Sequence, residues 1–283
     1  MISKLNLTNY ICAGALLLFS VGNSAHATNL TNDVRDALVP HKALYDIKMV
    51  ARKNSSQVLN ISGQMFFEWN IVCDAWTTDH RFNLKYEYAD SAPMNITSDF
   101  STYETFNGAS LDFNSRRKRN GDLYQEIRGR AEASAEDKTG EATYTMPAGL
   151  IYDLDNDMLF PMAHTVEMLE HARQGKKFYH ATVFDGSDED GPVEINSFIG
   201  GAEATLANFQ AKPEIDSALI DTPSWKVRMA FFPTINPESQ ADYEMSARFH
   251  DNGVISDMLV EYSDFSVTQK LVALEKLDAK NCE

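Results

Sequence analysis

Along most of the chain, apolar and polar residues alternate with a period of two. In residues 76–88, for example, Phe82, Leu84 and Tyr86 fall on one side of the segment. The side chains of a strand point alternately to its two faces, so this pattern predicts strands with one buried face. Similar runs predict further strands at 44–49, 61–69, 95–105, 109–114, 123–127, 142–146, 177–185, 193–199, 225–232, 242–250, 253–263 and 266–276.

The predicted strands are joined by short connections. Asn107-Gly108 and Asn120-Gly121 are typical of tight hairpin turns, and Asp251-Asn252-Gly253 separates two of the last strands. Antiparallel neighbours can be joined by such turns, whereas parallel strands need long crossovers. We therefore predict a mainly β fold, a single antiparallel sheet that curls on itself as a β-spiral or an open barrel.

One segment breaks the alternation and predicts an α-helix near residues 158–174. Pro161 stands where a helix starts, apolar residues recur at helical spacing from Met162 to Leu169, and Gly175 is a typical stop. Parallel β-α-β units would need several such segments. The single helix therefore agrees with an antiparallel sheet.

The beginning of the chain has the pattern of an export signal. Lys4 precedes an apolar stretch at residues 10–19, and Ala25-His26-Ala27 resembles a cleavage site. Leucines follow Cys12 rather than precede it, which argues against a lipoprotein signal. We expect an exported protein from which residues 1–27 are removed.

The mature part is predicted to be one domain. Residues 28–40 are polar and are expected to form a flexible arm, and residues 41–283 the domain. No stretch after the leader reaches the roughly 18 consecutive apolar residues of a membrane-spanning helix. The formal charge of −16 disfavours nucleic acid as a partner, because such a surface repels phosphates.

Two cysteines remain after the leader, Cys73 and Cys282. Exported proteins reach oxidising compartments in which thiols pair. We expect a disulfide bond between them that ties the end of the chain to an early strand.

Two charged clusters are candidate binding sites. Residues 185–191 contain four carboxylates but lack the register of an EF-type loop, so a solvated turn is favoured over a weak calcium site. The second cluster is basic and precedes Asn120-Gly121, which predicts it at a hairpin tip. It could dock an anionic partner or serve as a charged tip that discourages aggregation. Its members, possible partner-binding residues, are Arg116, Arg117, Lys118 and Arg119.

No set of residues predicts a catalytic or metal centre. His164, Glu167 and His171 share one face of the predicted helix and could in principle hold zinc, but no further His or Cys pattern completes such a site. No Gly-x-Ser-x-Gly occurs, and a paired-carboxylate hydrolase has no positive support. We predict no catalytic residue, no metal and no cofactor, and we expect His41 to have a structural role.

Aromatic residues are concentrated in the N-terminal half. They either pack in an ordinary core on both sides of the sheet or line an apolar groove inside it, as an incompletely filled curled sheet would allow. These residues are Phe66, Phe67, Trp69, Trp76, Phe82, Tyr86, Tyr88, Phe100, Tyr103, Phe106 and Phe113.

Several short motifs occur in an order that resembles the EipB-like cell-envelope integrity family, periplasmic β-spiral proteins of Gram-negative bacteria. The Cys-Asp-x-Trp step together with a terminal cysteine is the most specific, although the family usually has glycine at the position of Ala75. The motifs are residues 41–45 (HKALY), Gly63, 73–76 (CDAW), 103–108 (YETFNG), Met146-Pro147, Phe160-Pro161 with His164, 184–187 (FDGS) and Cys282.

The resemblance implies a periplasmic location, one spiral domain and a disulfide between Cys73 and Cys282. It implies a role in envelope integrity under stress and brings no enzymatic activity. We therefore expect a non-catalytic protein that binds an envelope protein or an acylated ligand. The alternatives are a soluble lipid or lipoprotein carrier and a hydrolase acting on the cell wall.

Overall fold

The computed structural model describes residues 33–54, 56–133, 139–204, 213–235 and 240–279. These residues form fourteen strands, the α-helix α1 (Pro161–Arg173), a short α-helical segment at 33–37 and a 3-10 helix at Ser217–Leu219. The strands are β1 (His41–Arg52), β2 (Val58–Val72), β3 (Ala75–Tyr88), β4 (Met94–Thr105), β5 (Ser110–Arg119), β6 (Asp122–Glu132), β7 (Gly140–Met146), β8 (Ile151–Leu154), β9 (Phe178–Val183), β10 (Val193–Glu203), β11 (Ser224–Pro233), β12 (Tyr243–His250), β13 (Ile255–Tyr262) and β14 (Phe265–Lys276).

All fourteen strands belong to one antiparallel sheet that is not closed. Its order is β8-β7-β6-β5-β4-β3-β2-β1-β14-β13-β12-β11-β10-β9. Consecutive strands are therefore paired, except that β8 and β9 lie at the two opposite edges. The first and last strands pair in the middle of the sheet, with His41 opposite Lys276. The predicted fold class is confirmed. The short strand β8 was not predicted, since its four residues are too few to show a period.

The sheet curls so that strands that are not paired with each other come into contact. Tyr45 of β1 donates a hydrogen bond from its hydroxyl to the carbonyl oxygen of Ile255 in β13, at 2.7 Å. The ring of Phe113 in β5 lies 5.5 Å from the ring of Phe184, which follows β9 at the other edge. The inner face of the curl is therefore the core of the domain.

The core has two parts. The larger one includes Trp69 and Trp76 and extends over both halves of the sheet, while the smaller one surrounds Phe113 inside β5 to β8. The ring of Phe113 lies so close to Gly129 and Gly186 that a Cβ atom at either glycine would overlap with it. Gly186 also has a φ of +66°, a conformation that favours glycine.

The helix α1 lies on the inner face of the curl. It packs against β9 and β10, and buried Val166, Met168 and Leu169 point into the larger core. The helix ends at Gln174, and Gly175 has a φ of +71°, as a helix stop requires. The predicted helix and its stop are thus confirmed.

The segment predicted as an arm, 28–40, is described from residue 33 on. There, residues 33–37 form a helical turn, and the side chains of Val34 and Leu38 are buried in the larger core. The second half of this segment therefore packs on the domain.

Candidate functional site

A cavity of about 310 Å³ lies between the helix and one half of the curled sheet. The helix contributes Pro161, His164, Thr165 and Met168 to its wall. These residues are spaced by three or four positions and so lie on one side of an α-helix. The volume falls at the lower end of the range of small-molecule sites, roughly 300–1,000 Å³.

The wall opposite the helix is apolar and comes from strands β10 to β13. These residues point inward because alternate side chains of a strand share a face. They are Val193, Ile195, Met229, Phe231, Met245, Phe249 and Ile255.

Four aspartates line the cavity, and since two of them are exposed to solvent, the part of the wall that they form marks its entrance. Asp185 and Asp188 come from the loop between β9 and β10 and are half-buried, whereas Asp190 and Asp242 are exposed. The loop is shaped by its own side chains, since Asp185 accepts a hydrogen bond from the backbone N–H of Ser187 at 2.8 Å. Asp188 accepts one from the N–H of Asp190 at 2.9 Å in the same way.

Residues of the N-terminal half hold this loop from the other side. The guanidinium of Arg117 donates to the backbone carbonyl oxygen of Ser187 at 3.0 Å. The hydroxyl of Tyr144 donates to the backbone carbonyl oxygen of Asp188 at 2.8 Å. The hydroxyl of Tyr152 donates to the carbonyl of Glu189. The loop therefore joins the two edges of the sheet as well as framing the cavity.

His164 is a polar residue in the helical wall of the cavity whose side chain lacks a protein partner at one nitrogen. Its side chain is 7% exposed, and its Nε2 atom has no hydrogen-bond partner in the protein. The ring stacks on the ring of Tyr179 at 5.4 Å. Burial lowers the pKa of His164 to about 4, so the ring is neutral at pH 7.

A second, smaller cavity of about 70 Å³ adjoins the first one. The two share Thr165, Phe249 and Ile255 as wall residues, and His41 and Trp69 line the far side of the smaller one. Both of these side chains are buried and have a ring nitrogen without a protein partner. The curl therefore encloses two adjacent spaces with few polar groups.

His41 has the structural surroundings that its position suggested. Its Nδ1 atom lies 2.8 Å from the carbonyl oxygen of Val39, which makes Nδ1 the protonated nitrogen of a neutral ring. Burial lowers its pKa and the hydrogen bond to Val39 partly offsets this. The ring also contacts Phe67 at 5.6 Å.

The helical face considered for zinc surrounds an aromatic ring instead. The hydroxyl of Tyr179 donates to the Glu167 carboxylate at 2.9 Å, and the ring of His171 lies 4.6 Å from that of Tyr179. His171 Nδ1 is 2.9 Å from the carbonyl of Glu167. In the described parts of the chain, no group of three or more His, Cys, Asp or Glu side chains could hold a metal ion.

The basic cluster is the end of strand β5, directly before the turn at Asn120-Gly121, and so its members alternate between two faces. Arg116 lies 3.8 Å from Glu126, whereas Arg117 contacts Gln125 at 2.8 Å as well as the acidic loop. The guanidinium of Arg119 lies over the ring of Tyr124 at 4.9 Å. The four residues do not form one continuous patch.

Cys73 lies in the tight turn between β2 and β3 and has a φ of +58°. Its expected partner, Cys282, lies outside the described residues. The pairing of these two cysteines stays a prediction.

Glu104 was not identified as an important residue from its charge or spacing. Its side chain is 1% exposed, and its carboxylate accepts hydrogen bonds from the backbone N–H groups of Met162 and Ala163 at 2.8 and 2.9 Å. Burial raises its pKa to about 7, although these hydrogen bonds act in the opposite direction. Besides its place in the 103–108 motif, its sequence signal was an acidic residue at a position of β4 that should point inward.

The sequence is similar to those of known proteins. The sequence model of the EipB-like family matches residues 33–278. The chain is 28% identical to the cell envelope integrity protein EipB of Brucella abortus over 272 residues, which is 94% of this chain and 93% of that protein.

The fold is also similar to a solved structure. A crystal structure from Brucella abortus, described as a beta-barrel-like protein of a domain of unknown function, matches with a TM-score of 0.78 and 27% identity. The match covers 85% of this chain and 99% of that one. Within the described residues, no helix is long and apolar enough to cross a membrane. Since the family model covers most of the sequence, this chain belongs to the EipB-like family.

Proposed function

We propose that this protein is exported to the periplasm and supports the integrity of the cell envelope by binding another envelope component. The leader pattern in residues 1–27 supports export. The relative named cell envelope integrity protein EipB supports the envelope role, because the similarity extends over nearly the whole of both chains.

The observation that carries the binding role is the cavity of about 310 Å³ inside the curled sheet. One wall is a helix face and the other is formed by inward residues of four strands, so the space is part of the architecture of the domain. An apolar cavity with a few polar groups at defined positions is the usual form of a ligand site. The ligand is an acylated molecule or an apolar protein segment of the envelope.

A binding role is better supported than hydrolysis. A hydrolase would bring a nucleophile or base together with groups that stabilise the developing charge. Here the aspartates come from exposed or half-buried loop positions, and His164 has no hydrogen bond to any of them. The carrier function is the second candidate, and the same cavity favours it.

Native mass spectrometry of protein isolated from the periplasm tests the proposal. We expect a bound molecule, or uptake of an acylated probe such as lauroyl-glycerol after extraction with solvent. A Met245→Trp variant should lose this binding because the larger side chain fills the cavity. Val50→Trp is the matched control, since Val50 is 57% exposed on β1.

Two results would count against the proposal. A protein that carries nothing and takes up nothing would remove the carrier function. If crosslinking in intact cells then also captured no envelope protein, the binding role itself would be wrong. Turnover of cell-wall fragments by the purified protein would favour the hydrolase.

A further inference from the structure

The entrance of the cavity has a strongly one-sided charge. Four of the described residues that line the cavity are aspartates, and none is a lysine or an arginine. Of these four, Asp185 and Asp188 are half-buried, whereas Asp190 and Asp242 are exposed. A carboxylate that is partly removed from water acts on a nearby charge more strongly than an exposed one. These two residues should therefore influence a bound headgroup most.

Neighbouring groups respond to this negative charge. The pKa of Tyr243, another wall residue, is raised by burial and further by Asp185 and Asp188. The pKa of Asp188 itself is raised by burial and by Asp185 and Asp190. Arg117 lowers the pKa of Asp188, so it offsets a part of the charge from outside the cavity.

The interior offers an apolar surface and one unused polar atom. Between α1 and strands β10 to β13, the wall consists mainly of aliphatic, methionine and phenylalanine side chains. The Nε2 atom of His164 is buried there without a protein partner. A buried polar atom gains free energy when a ligand supplies its missing hydrogen bond.

We propose that the cavity binds an amphiphile with a cationic headgroup, which the aspartates at the entrance hold while the apolar chain lies between α1 and the sheet. A polar group near the end of that chain would hydrogen-bond to His164. The aspartates also exclude anionic amphiphiles such as fatty acids, since like charges repel in a partly buried entrance. This inference rests on the proposed binding function and names its ligand class.

Isothermal titration calorimetry with three probes of equal chain length tests the charge preference. The probes are decylammonium, decanol and decanoate at pH 7.5, with decanol below its solubility limit and the two ionic probes below their micelle-forming concentrations. We expect decylammonium to bind about tenfold more tightly than decanol, and decanoate to bind more weakly than decanol. Equal affinities for decylammonium and decanoate would overturn the inference.

A double variant tests whether the aspartates at the entrance cause the preference for the cationic probe. Asp185→Asn with Asp188→Asn removes two charges and keeps an amide oxygen that can accept the turn hydrogen bonds from Ser187 and Asp190. We expect the preference for decylammonium over decanol to fall to about threefold or less. The control combines Asp153→Asn with Asp257→Asn, two exposed strand positions, and should keep the preference. The same fall in both variants would contradict a local effect.

His164→Phe tests the interior contact, because phenylalanine keeps a ring next to Tyr179 and removes the nitrogen. The probe is an aminodecanol with its amine and hydroxyl at opposite ends. We expect the variant to bind it about fivefold more weakly than the parent protein, with little change for decylammonium. Equal losses for both probes would leave His164 with a packing role only and would overturn that part of the proposal.

The outcomes separate this inference from the proposed function. Binding of decanoate and decylammonium alike would refute the charge preference and leave the binding role intact. Absence of binding for every probe would refute the cavity as a ligand site and with it both proposals for the cavity. If only an apolar peptide ending in lysine bound, the occupant would be a protein segment and the amphiphile proposal would be wrong.

Discussion

The carboxylate of Glu104 accepts a hydrogen bond from the backbone N–H of Met162 at 2.8 Å, which joins strand β4 to the first turn of α1. The residue before this helix, Phe160, has no side chain that could cap it. The free N–H groups at the start of a helix need acceptors, and a carboxylate is a favourable one. A residue far away in the sequence thus supplies the missing cap.

Replacing Glu104 should change how stability depends on pH. Because the pKa of Glu104 is raised from 4.5 to about 7 by burial, the folded protein binds a proton in this range that the unfolded chain has released. The free energy of unfolding therefore falls as the pH rises from 4.5 to about 7, by up to roughly 3 kcal/mol from this group. Glu104→Gln should remove this part of the slope.

Urea unfolding at pH 5 and pH 8 measures the effect. We expect Glu104→Gln to be less stable than the parent protein by about 1 kcal/mol at pH 5, since one hydrogen bond is lost. The difference should shrink or reverse at pH 8. Glu214→Gln, an exposed position, is the control and should follow the parent at both pH values. A constant difference for Glu104→Gln would contradict the raised pKa.

Gly186→Ala should destabilise the smaller core. The added Cβ atom would overlap with the ring of Phe113, and the residue has a φ of +66°. We expect a loss of about 3 kcal/mol in the free energy of unfolding. Gly108→Ala is a matched control, because Gly108 has a φ of +65° and open space around it, so only the backbone cost of about 1 kcal/mol remains. Equal losses would show that Phe113 moves aside without cost.

Cys73→Ser tests the expected disulfide bond. If Cys73 pairs with Cys282, the variant should melt at a lower temperature than the parent protein under oxidising conditions, because the unfolded chain is no longer crosslinked. Adding a reductant to the parent should produce the same decrease. Identical melting of both proteins without reductant would argue against a stabilising bond.

Substitutions of the basic residues at the end of β5 should have two different effects, one on envelope function and one on stability. Arg116→Glu with Lys118→Glu changes the outward side chains and should weaken the envelope function, if this face docks an anionic partner, without lowering the melting temperature. Arg117→Glu should instead destabilise the acidic loop, since it removes the hydrogen bond to Ser187. Growth under envelope stress and thermal melting measure the two effects. Normal growth of cells with the double variant under envelope stress would rule out docking by this face.

The strands could be predicted from the sequence because the alternation that indicates a strand lies within that strand. Inward residues such as Phe82 and Leu84 of β3 recur at every second position, so a single segment contains the evidence for its own strand. The helix α1 was recovered for the same reason, with Pro161 at its start and Gly175 at its stop. By contrast, β8 is too short to show its own period.

Residues 185–191 and His164 were each noted as candidates in the sequence, but their proximity could not be predicted in this way. Asp185 and His164 border the same cavity although one lies in a loop and the other on a helix, and Asp242 joins them from another strand connection. Their proximity depends on how far the sheet curls. Nothing within any one segment encodes that degree of curl.

The sequence by itself determined most of the strands, their antiparallel arrangement, the helix α1 and the acidic character of the chain. These properties follow from side-chain alternation, turn residues and composition, which act over a few neighbouring positions. Only the tertiary structure decided that Glu104 caps the helix, that Arg117 binds the acidic loop and that aspartates surround an apolar cavity. These contacts form between strands far apart in the sheet, and the packing of the whole curl brings them together.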